Sequence, residues 1–219
     1  MAVKFNQYWR LNREAIGDYE KFLLKEFVPG MNKLGIHVVA GWSVLVGGYS
    51  EFLVEGISSD LHDLEVALKS LKYQELNTQL LNHINTYKTK VLVQDGAKDT
   101  YTTEYRENTV KFTQMWDIIS RKKTDYKSFV TGSFGPLLES LGIHIAGEWE
   151  VLIGDGPRII YEGRAHDMGS LIGNLQSDKF RAAKKELKHY IENYESRLLT
   201  FHLQKMKGYK SASYRLISF

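Results

Sequence analysis

The residues best suited to chemistry lie in the stretch LGIHIAGEWEVLIGD at 141–155, where His144, Glu148 and Glu150 recur at even spacing. On a strand, side chains alternate between faces, so an even spacing puts all three on one side. A histidine beside carboxylates is the combination that makes a general base and the group that orients it. In this reading His144 is the base, Glu148 or Glu162 is its orienter, and Arg164 or Gln114 holds a substrate. His37, Gln7, Glu55, Glu150 and Asp117 complete the ligand-facing set. A single metal is not expected from His144, Glu148 and Glu150. At ~3.3 Å per residue they spread over about 20 Å, and one ion would need donors from another strand such as Glu162.

Each of these residues also has a plainer role open to it. His37 and His144 follow a Gly-Ile pair at a strand start, where a ring nitrogen commonly bonds nearby backbone. Glu148 and Glu150 could pair with lysines or arginines across the sheet, and Glu55 and Glu162 with Arg164 or a lysine. Trp9, Trp42, Trp116 and Trp149 are expected as core anchors rather than ligand-stacking residues. Gln7 and Gln114 are polar positions in apolar strand faces, so each must find a partner, a ligand or a buried water.

The elements that must position these groups are written twice. Residues 3–93 align on 110–200 without a gap: VKFNQYW answers VKFTQMW, Asp18-Tyr19 answers Asp125-Tyr126, and Pro29 answers Pro136. Leu34-Gly35-Ile36-His37 answers Leu141-Gly142-Ile143-His144, Trp42 answers Trp149, and Glu55-Gly56 answers Glu162-Gly163. The period is far too long for a solenoid, so the chain is a tandem duplication of one module. The second copy differs in gaining Glu148 and Glu150, where the first has Gly41 and Ser43, and Asp117, where the first has Arg10.

Within a module, Val3, Phe5, Gln7, Trp9 and Leu11 alternate with Lys4, Asn6, Tyr8 and Arg10, which marks a strand. From about residue 14 the spacing turns helical through Ile16, Tyr19, Phe22, Leu23 and Phe27, with a break or kink expected before Pro29. Gly35 ends a short helical turn. Residues 36–46 form a long strand, with a glycine hairpin into 51–57. Asp60 and Asp167 cap the next helices, a further helical piece covers 73–86, and 87–93 returns as a strand. The order is β-α-β-β-α-β, an α+β ferredoxin-like unit. Two such sheets can bury their bare faces against each other as one barrel. The expected divisions are repeat 1 at 1–95, a polar linker at 96–109, repeat 2 at 110–203 and a tail at 204–219. Alternation along the tail suggests an added strand or a clasp on a neighbouring subunit.

The strand at 36–46 has one wholly apolar face, Ile36, Val38, Ala40, Trp42 and Val44. That face is assigned here to the helices and the histidine face to the lumen between the sheets, because a carboxylate under packed helices is costly unless paired.

This pattern resembles the NIPSNAP group of the dimeric α+β barrel superfamily, most clearly over Leu34–Gly56 and Leu141–Gly163: a helix ending in a proline and Leu-Gly, then a strand carrying Gly and Trp, as GxW in the second copy, and a glycine turn. The resemblance implies two tandem ferredoxin-like repeats forming an intramolecular barrel. It also implies a small organic ligand in the lumen, with proton transfer or cofactor-independent oxygenation as the chemistry. No cofactor is expected, haem being the alternative through the chlorite-dismutase type, although no haem-family motif surrounds any histidine. A non-catalytic scaffold is the third reading, favoured if aromatic side chains plug the lumen. Superfamily members often assemble further, so a homo-oligomer is open to this chain.

Composition excludes other classes. Twenty-nine basic and 26 acidic residues leave a net charge of +3, too balanced and too dispersed for a nucleic-acid surface. The sequence contains no cysteine, hence neither disulfide nor thiolate chemistry. No apolar run reaches membrane-spanning length and no secretory pattern opens the chain, so the expected location is cytoplasmic.

Overall fold

The structure, a computed structural model, describes residues 2–12, 16–47, 52–94, 108–206 and 213–217. The first module runs β1 (Val3–Leu11), α1 (Ile16–Phe22), α2 (Val28–Lys33), β2 (His37–Val46), β3 (Phe52–Ser58), α3 (Leu61–Lys69), α4 (Leu71–Leu81) and β4 (Ile84–Gln94). The second repeats it as β5 (Val110–Ile118), α5 (Lys123–Phe129), α6 (Gly135–Ser140), β6 (His144–Ile153), β7 (Ile159–Ala165), α7 (Met168–Leu175), α8 (Asp178–Leu187) and β8 (Ile191–Met206). A short β9 (Ser213–Leu216) follows. The fourth helix of the first module begins at Leu71 rather than 73, because the Ser70 hydroxyl caps it by accepting from the Tyr73 amide at 3.1 Å. Asp60 and Asp167 cap α3 and α7 as their types require, accepting from Asp63 N at 2.8 Å and Ser170 N at 2.6 Å.

The helix before each proline is widened rather than broken. Leu23–Phe27 and Val130–Phe134 form single π-helical turns, in which the Val28 amide reaches the Leu23 carbonyl and the Gly135 amide reaches that of Val130. Pro29 and Pro136 have no N–H, and their rings crowd the carbonyl four residues back. One wide turn relieves both problems while the helix axis continues into α2 and α6. Gly35 and Gly142 then stop these helices at φ of 81° and 70°, a region that side chains rarely enter.

The strands are ordered β2-β3-β1-β4-β6-β7-β5-β8-β9, and a further pairing of β2 with β8 closes the first eight into a barrel. Closure depends on two long strands. β4 pairs β1 along nearly its whole length and pairs β6 through its C-terminal end on the other edge, while β8 pairs β5 and then β2. The modules are therefore joined edge to edge as well as face to face, which leaves few open strand edges. Each module packs a large apolar cluster between its sheet and its helices. Trp9, Tyr19, Phe27 and Met31 centre the first, and Trp116, Tyr126, Phe134 and Leu138 the second. Two smaller clusters fill the lumen: Tyr8, Trp42, Leu53 and Phe201 in one, Met115, Trp149, Val151 and Ile160 in the other.

β9 pairs the outer end of β8 and is the added strand expected of the tail. It clasps its own first module, since the Tyr214 hydroxyl donates to the Val38 carbonyl at 2.8 Å and accepts from Asn32 Nδ2 at 3.1 Å. The expected linker lies almost wholly outside the described residues, as do Tyr209 and Ser211 of the tail.

One expectation reverses. The alternation that assigned Trp42 to the helices and the histidine face to the lumen is interrupted by a bulge in each copy. Val38 opposes Gly56 while Ala40 opposes Glu55, so Val39 is the extra residue; Ala146 plays the same part between Ile145 and Gly147. An extra residue inverts the facing of everything beyond it. Ile36 and Val38 therefore face the helices while Ala40 and Trp42 face the lumen, and Glu148 faces the helices.

Candidate functional site

The lumen is occupied by its own side chains. Lys4 and Lys111 stand at equivalent positions of β1 and β5, and Glu55 and Glu162 at equivalent positions of β3 and β7. All four are at most 2% exposed. Lys4 Nζ lies 2.7 Å from Glu55 Oε1 and 2.7 and 2.8 Å from the two oxygens of Glu162. Lys111 Nζ lies 2.7 Å from Glu162 Oε1 and also pairs Glu55. Trp42 donates to Glu55 Oε2 at 2.8 Å and Trp149 to Glu162 Oε2 at 3.2 Å. Each lysine also sits over the other module's indole, at 4.9 Å for Lys4 on Trp149 and 5.4 Å for Lys111 on Trp42.

Two ammonium groups and two carboxylates make this quartet neutral, and each charge has several partners, the condition under which charges can be buried. Burial pushes the Glu55 carboxyl upward, but Lys111 and Lys4 outweigh it and hold it well below the usual carboxylate range. Burial pushes the Lys4 ammonium down, against the pull of Glu162 and Glu55. Around the quartet, the space lined by Asn6, Tyr8, Thr113, Glu162 and Arg197 measures about 10 Å3. An organic ligand does not fit there. At this place the lumen holds an ion-paired plug where a ligand was expected, and Glu55 and Glu162 take the lysine-paired role.

The other predicted residues separate. His144 is exposed at the start of β6, with Nδ1 2.9 Å from Glu139 Oε2. His37 is exposed and borders a surface hollow. The bulge at Ala146 puts His144 out of phase with Glu148, so the two do not form a base and its orienter. Asp117 accepts from the Arg158 amide and from Asn193 Nδ2, both at 2.8 Å, and Glu150 pairs Arg158 at 3.3 Å. Those two acids pin the hairpin β6–β7 to the rim of its module. Arg164 is buried on β7, opposite His144 and Lys111 in register. Gln7 donates to the Tyr87 hydroxyl at 2.7 Å.

What remains is a polar row on the helix-covered face of the second sheet. In register across β6, β7, β5 and β8, Glu148 opposes Tyr161, Tyr161 opposes Gln114, and Gln114 opposes Ser196. The half-buried Glu148 accepts from the Tyr126 hydroxyl of α5 at 2.9 Å, and that hydroxyl accepts from Trp116 Nε1 at 3.1 Å. Burial, the Glu148 charge and the hydrogen bond to it together push the Tyr126 phenol far up, so it stays a donor. Tyr161 is likewise raised by burial and by Glu148 and Glu139. Gln114 is fully buried; its Oε1 accepts from Tyr194 at 2.9 Å, while its Nε2 has no hydrogen-bond partner among the described residues. Trp116 is flanked by the Tyr194 ring at 6.1 Å and the Tyr161 ring at 5.6 Å. Gly135 makes room for Tyr161, since a Cβ there would lie 3.0 Å from its hydroxyl.

Chemically, the row offers a carboxylate that can take a proton, a phenol that steadies it, an amide donor, and flat rings for stacking. No histidine belongs to it, so it offers no imidazole to ligate a haem. The buried His202 belongs to β8 but packs beneath the helices of the first module, with its ring against Tyr19 and Phe52 at centroid distances of 5.9 and 4.4 Å, away from this row. Among the described residues no three His, Asp or Glu side chains are disposed to hold a metal, and no helix is long and apolar enough to cross a membrane.

Sequence reasoning missed Lys4 and Lys111. Their identity in both copies, on a strand whose other face is apolar, was the available signal. It also missed Tyr126 and Tyr161, whose part depends on packing between a helix and the sheet.

No family model matches the sequence and no curated protein does. Solved structures do match. A candidate monooxygenase from Fusobacterium nucleatum is 10% identical over 91% of this chain and 92% of that one, with a TM-score of 0.64. Chlorite dismutase from Candidatus Nitrospira defluvii, in complex with imidazole, is 8% identical over 91% of both chains, with a TM-score of 0.58. A NIPSNAP family protein from Agrobacterium tumefaciens is 13% identical over 43% of this chain and 94% of that one, at a TM-score of 0.37, too low to bear on the fold. The first two likenesses, at identities this low, speak for architecture alone. Two tandem ferredoxin-like repeats closing into an α+β barrel of the dimeric α+β barrel type are the fold of this chain.

Proposed function

We propose that the chain binds a small hydroxylated aromatic molecule on the helix-covered face of its second module, with Glu148 as the hydrogen-bond and proton acceptor. The observation that carries this reading is the pairing of a phenol-held, half-buried carboxylate with the unpartnered donor of Gln114 on one register row. Burying the Gln114 amide donor is costly unless a partner completes it, and a ligand hydroxyl or carbonyl is a suitable partner. Trp116, Tyr161 and Tyr194 provide the aromatic surroundings. If a reaction follows binding, it starts with removal of a ligand proton by Glu148, a step common to proton transfer and to oxygenation without a cofactor. That two solved examples of the fold carry the names of small-molecule enzymes, a monooxygenase and a chlorite dismutase, is in keeping with this.

The test is a thermal-shift and native-mass panel of simple phenols and naphthols against the wild type, Glu148→Gln and Gln114→Leu. A shift in the wild type that disappears in both variants supports the reading. An identical shift in Glu148→Gln, or none with any compound, sinks it. In that event the second reading, a non-catalytic scaffold, takes its place, and the filled lumen is the observation in its favour.

A further inference from the structure

We infer that the barrel interior holds one bound water that bridges the two repeats beside the charge quartet. Asn6 and Thr113 occupy equivalent positions of β1 and β5, and each follows its quartet lysine by two residues. They are 1% and 6% exposed. Asn6 gives one N–H of its amide to the Tyr8 hydroxyl, at 3.2 Å. That leaves Asn6 Oδ1 and Thr113 Oγ1 without hydrogen-bond partners among the described residues. Orphaned polar atoms in a protein interior call for an occupant.

The size of the space identifies it. Asn6, Tyr8 and Thr113 border the same hollow of about 10 Å3, with Met115, Ile160 and Leu199 as its apolar walls. That is close to the volume of one water-sized probe and far below that of any organic molecule. A buried water is held by about three hydrogen bonds. Three are on offer: Asn6 Oδ1 accepts one, Thr113 Oγ1 gives or accepts another, and the Tyr8 hydroxyl, which already accepts from Asn6, still has its own proton to donate. A cation is disfavoured, since Arg197 borders the hollow and the quartet is already neutral. The repeat symmetry is broken on this side: Met115 stands where Tyr8 stands in the first module, so the equivalent place lacks the phenol. One water is therefore expected, not a symmetric pair. It would join a side chain of the first repeat to one of the second, adding an uncharged tie to the ionic one.

The direct test is a crystal structure of the full chain at about 1.5 Å, a resolution at which ordered waters are plain. A single peak within about 3.2 Å of Asn6 Oδ1, Thr113 Oγ1 and Tyr8 Oη is expected. Thr113→Val should weaken or abolish that peak and lower Tm by about 2–4 °C. Asn6→Leu, which fills the hollow and removes the acceptor, should show none. In solution, oxygen-17 relaxation dispersion should report one fewer long-lived water in Asn6→Leu than in the wild type. No peak in the wild type, with Asn6 and Thr113 bonded directly to each other, overturns the proposal. So does an unchanged count of long-lived waters in Asn6→Leu.

Discussion

The two modules are alike where they meet and unlike under their helices. At the interface, Lys4 and Glu55 of one copy answer Lys111 and Glu162 of the other, and each lysine binds both glutamates. Under the helices, the row Gly41–Val54–Gln7–Thr89 of the first module becomes Glu148–Tyr161–Gln114–Ser196 in the second. Val28, which would crowd the Tyr161 hydroxyl, becomes Gly135. In the first module the corresponding space is filled from β8. A bulge at His202 turns that residue and Leu203 toward the helices, with Leu203 Cβ only 2.7 Å from where a Gly41 Cβ would sit. Duplication thus preserved the surface on which closure depends and freed one under-helix face to become polar while the other was packed shut.

The symmetric half of this comparison carries the largest expected effects. Lys4→Met and Lys111→Met should each destabilise the fold by about 3–5 kcal/mol in chemical denaturation, because each strands a buried carboxylate. The two costs should agree closely, and a large difference would break the symmetry argument. Replacing all four members with Met and Leu together should recover most of the loss. Because Glu55 is held below its ordinary pKa of 4.5, the stability it contributes is complete above that value and is lost as pH falls through the lower folded-state value. The fourfold apolar variant should lack this acid sensitivity.

The next effect belongs to the space beneath the first module's helices, which β8 of the second module fills. Burial pushes His202 down to about 4 from an ordinary 6.5. A depressed histidine gives its full stability above the unfolded value and loses it as pH falls through the folded one. The wild type should lose up to about 3 kcal/mol between roughly pH 6.5 and 4, the free energy needed to keep this imidazole neutral while its unfolded counterpart takes up a proton. His202→Phe should flatten that slope, and an unchanged slope would show that His202 is not its source. Third, Gly41→Ala should cost about 1–3 kcal/mol by forcing Leu203 aside. Smallest, Glu148→Ala should change stability by about 1 kcal/mol, since it removes one acceptor from Tyr126 at a half-exposed place. A much larger loss at Glu148 than at Gly41 would turn the second module's row from a binding surface into a structural necessity.

Much of this architecture is legible in the sequence. The repeat, the β-α-β-β-α-β order, the caps at Asp60 and Asp167 and the turns at Gly35 and Gly142 all follow from local pattern and backbone chemistry. The one-sided gain of Glu148 was visible too, as was the question it raises. Its neighbours were not. Period-two counting joins His144 to Glu148, and the bulge at Ala146 separates them.

The sequence by itself determined the two modules, their elements and the positions at which the copies diverge, because those depend on interactions a few residues apart and on direct comparison of the copies. Only the tertiary structure decided which face each side chain serves and which distant groups meet. Lys4 finds Glu162 across 158 residues, a contact made by barrel closure and by no local preference. A bulge of one residue, neutral in composition, sends Trp42 into the lumen and Glu148 beneath the helices, because strand facing has a period of two and a single insertion inverts it.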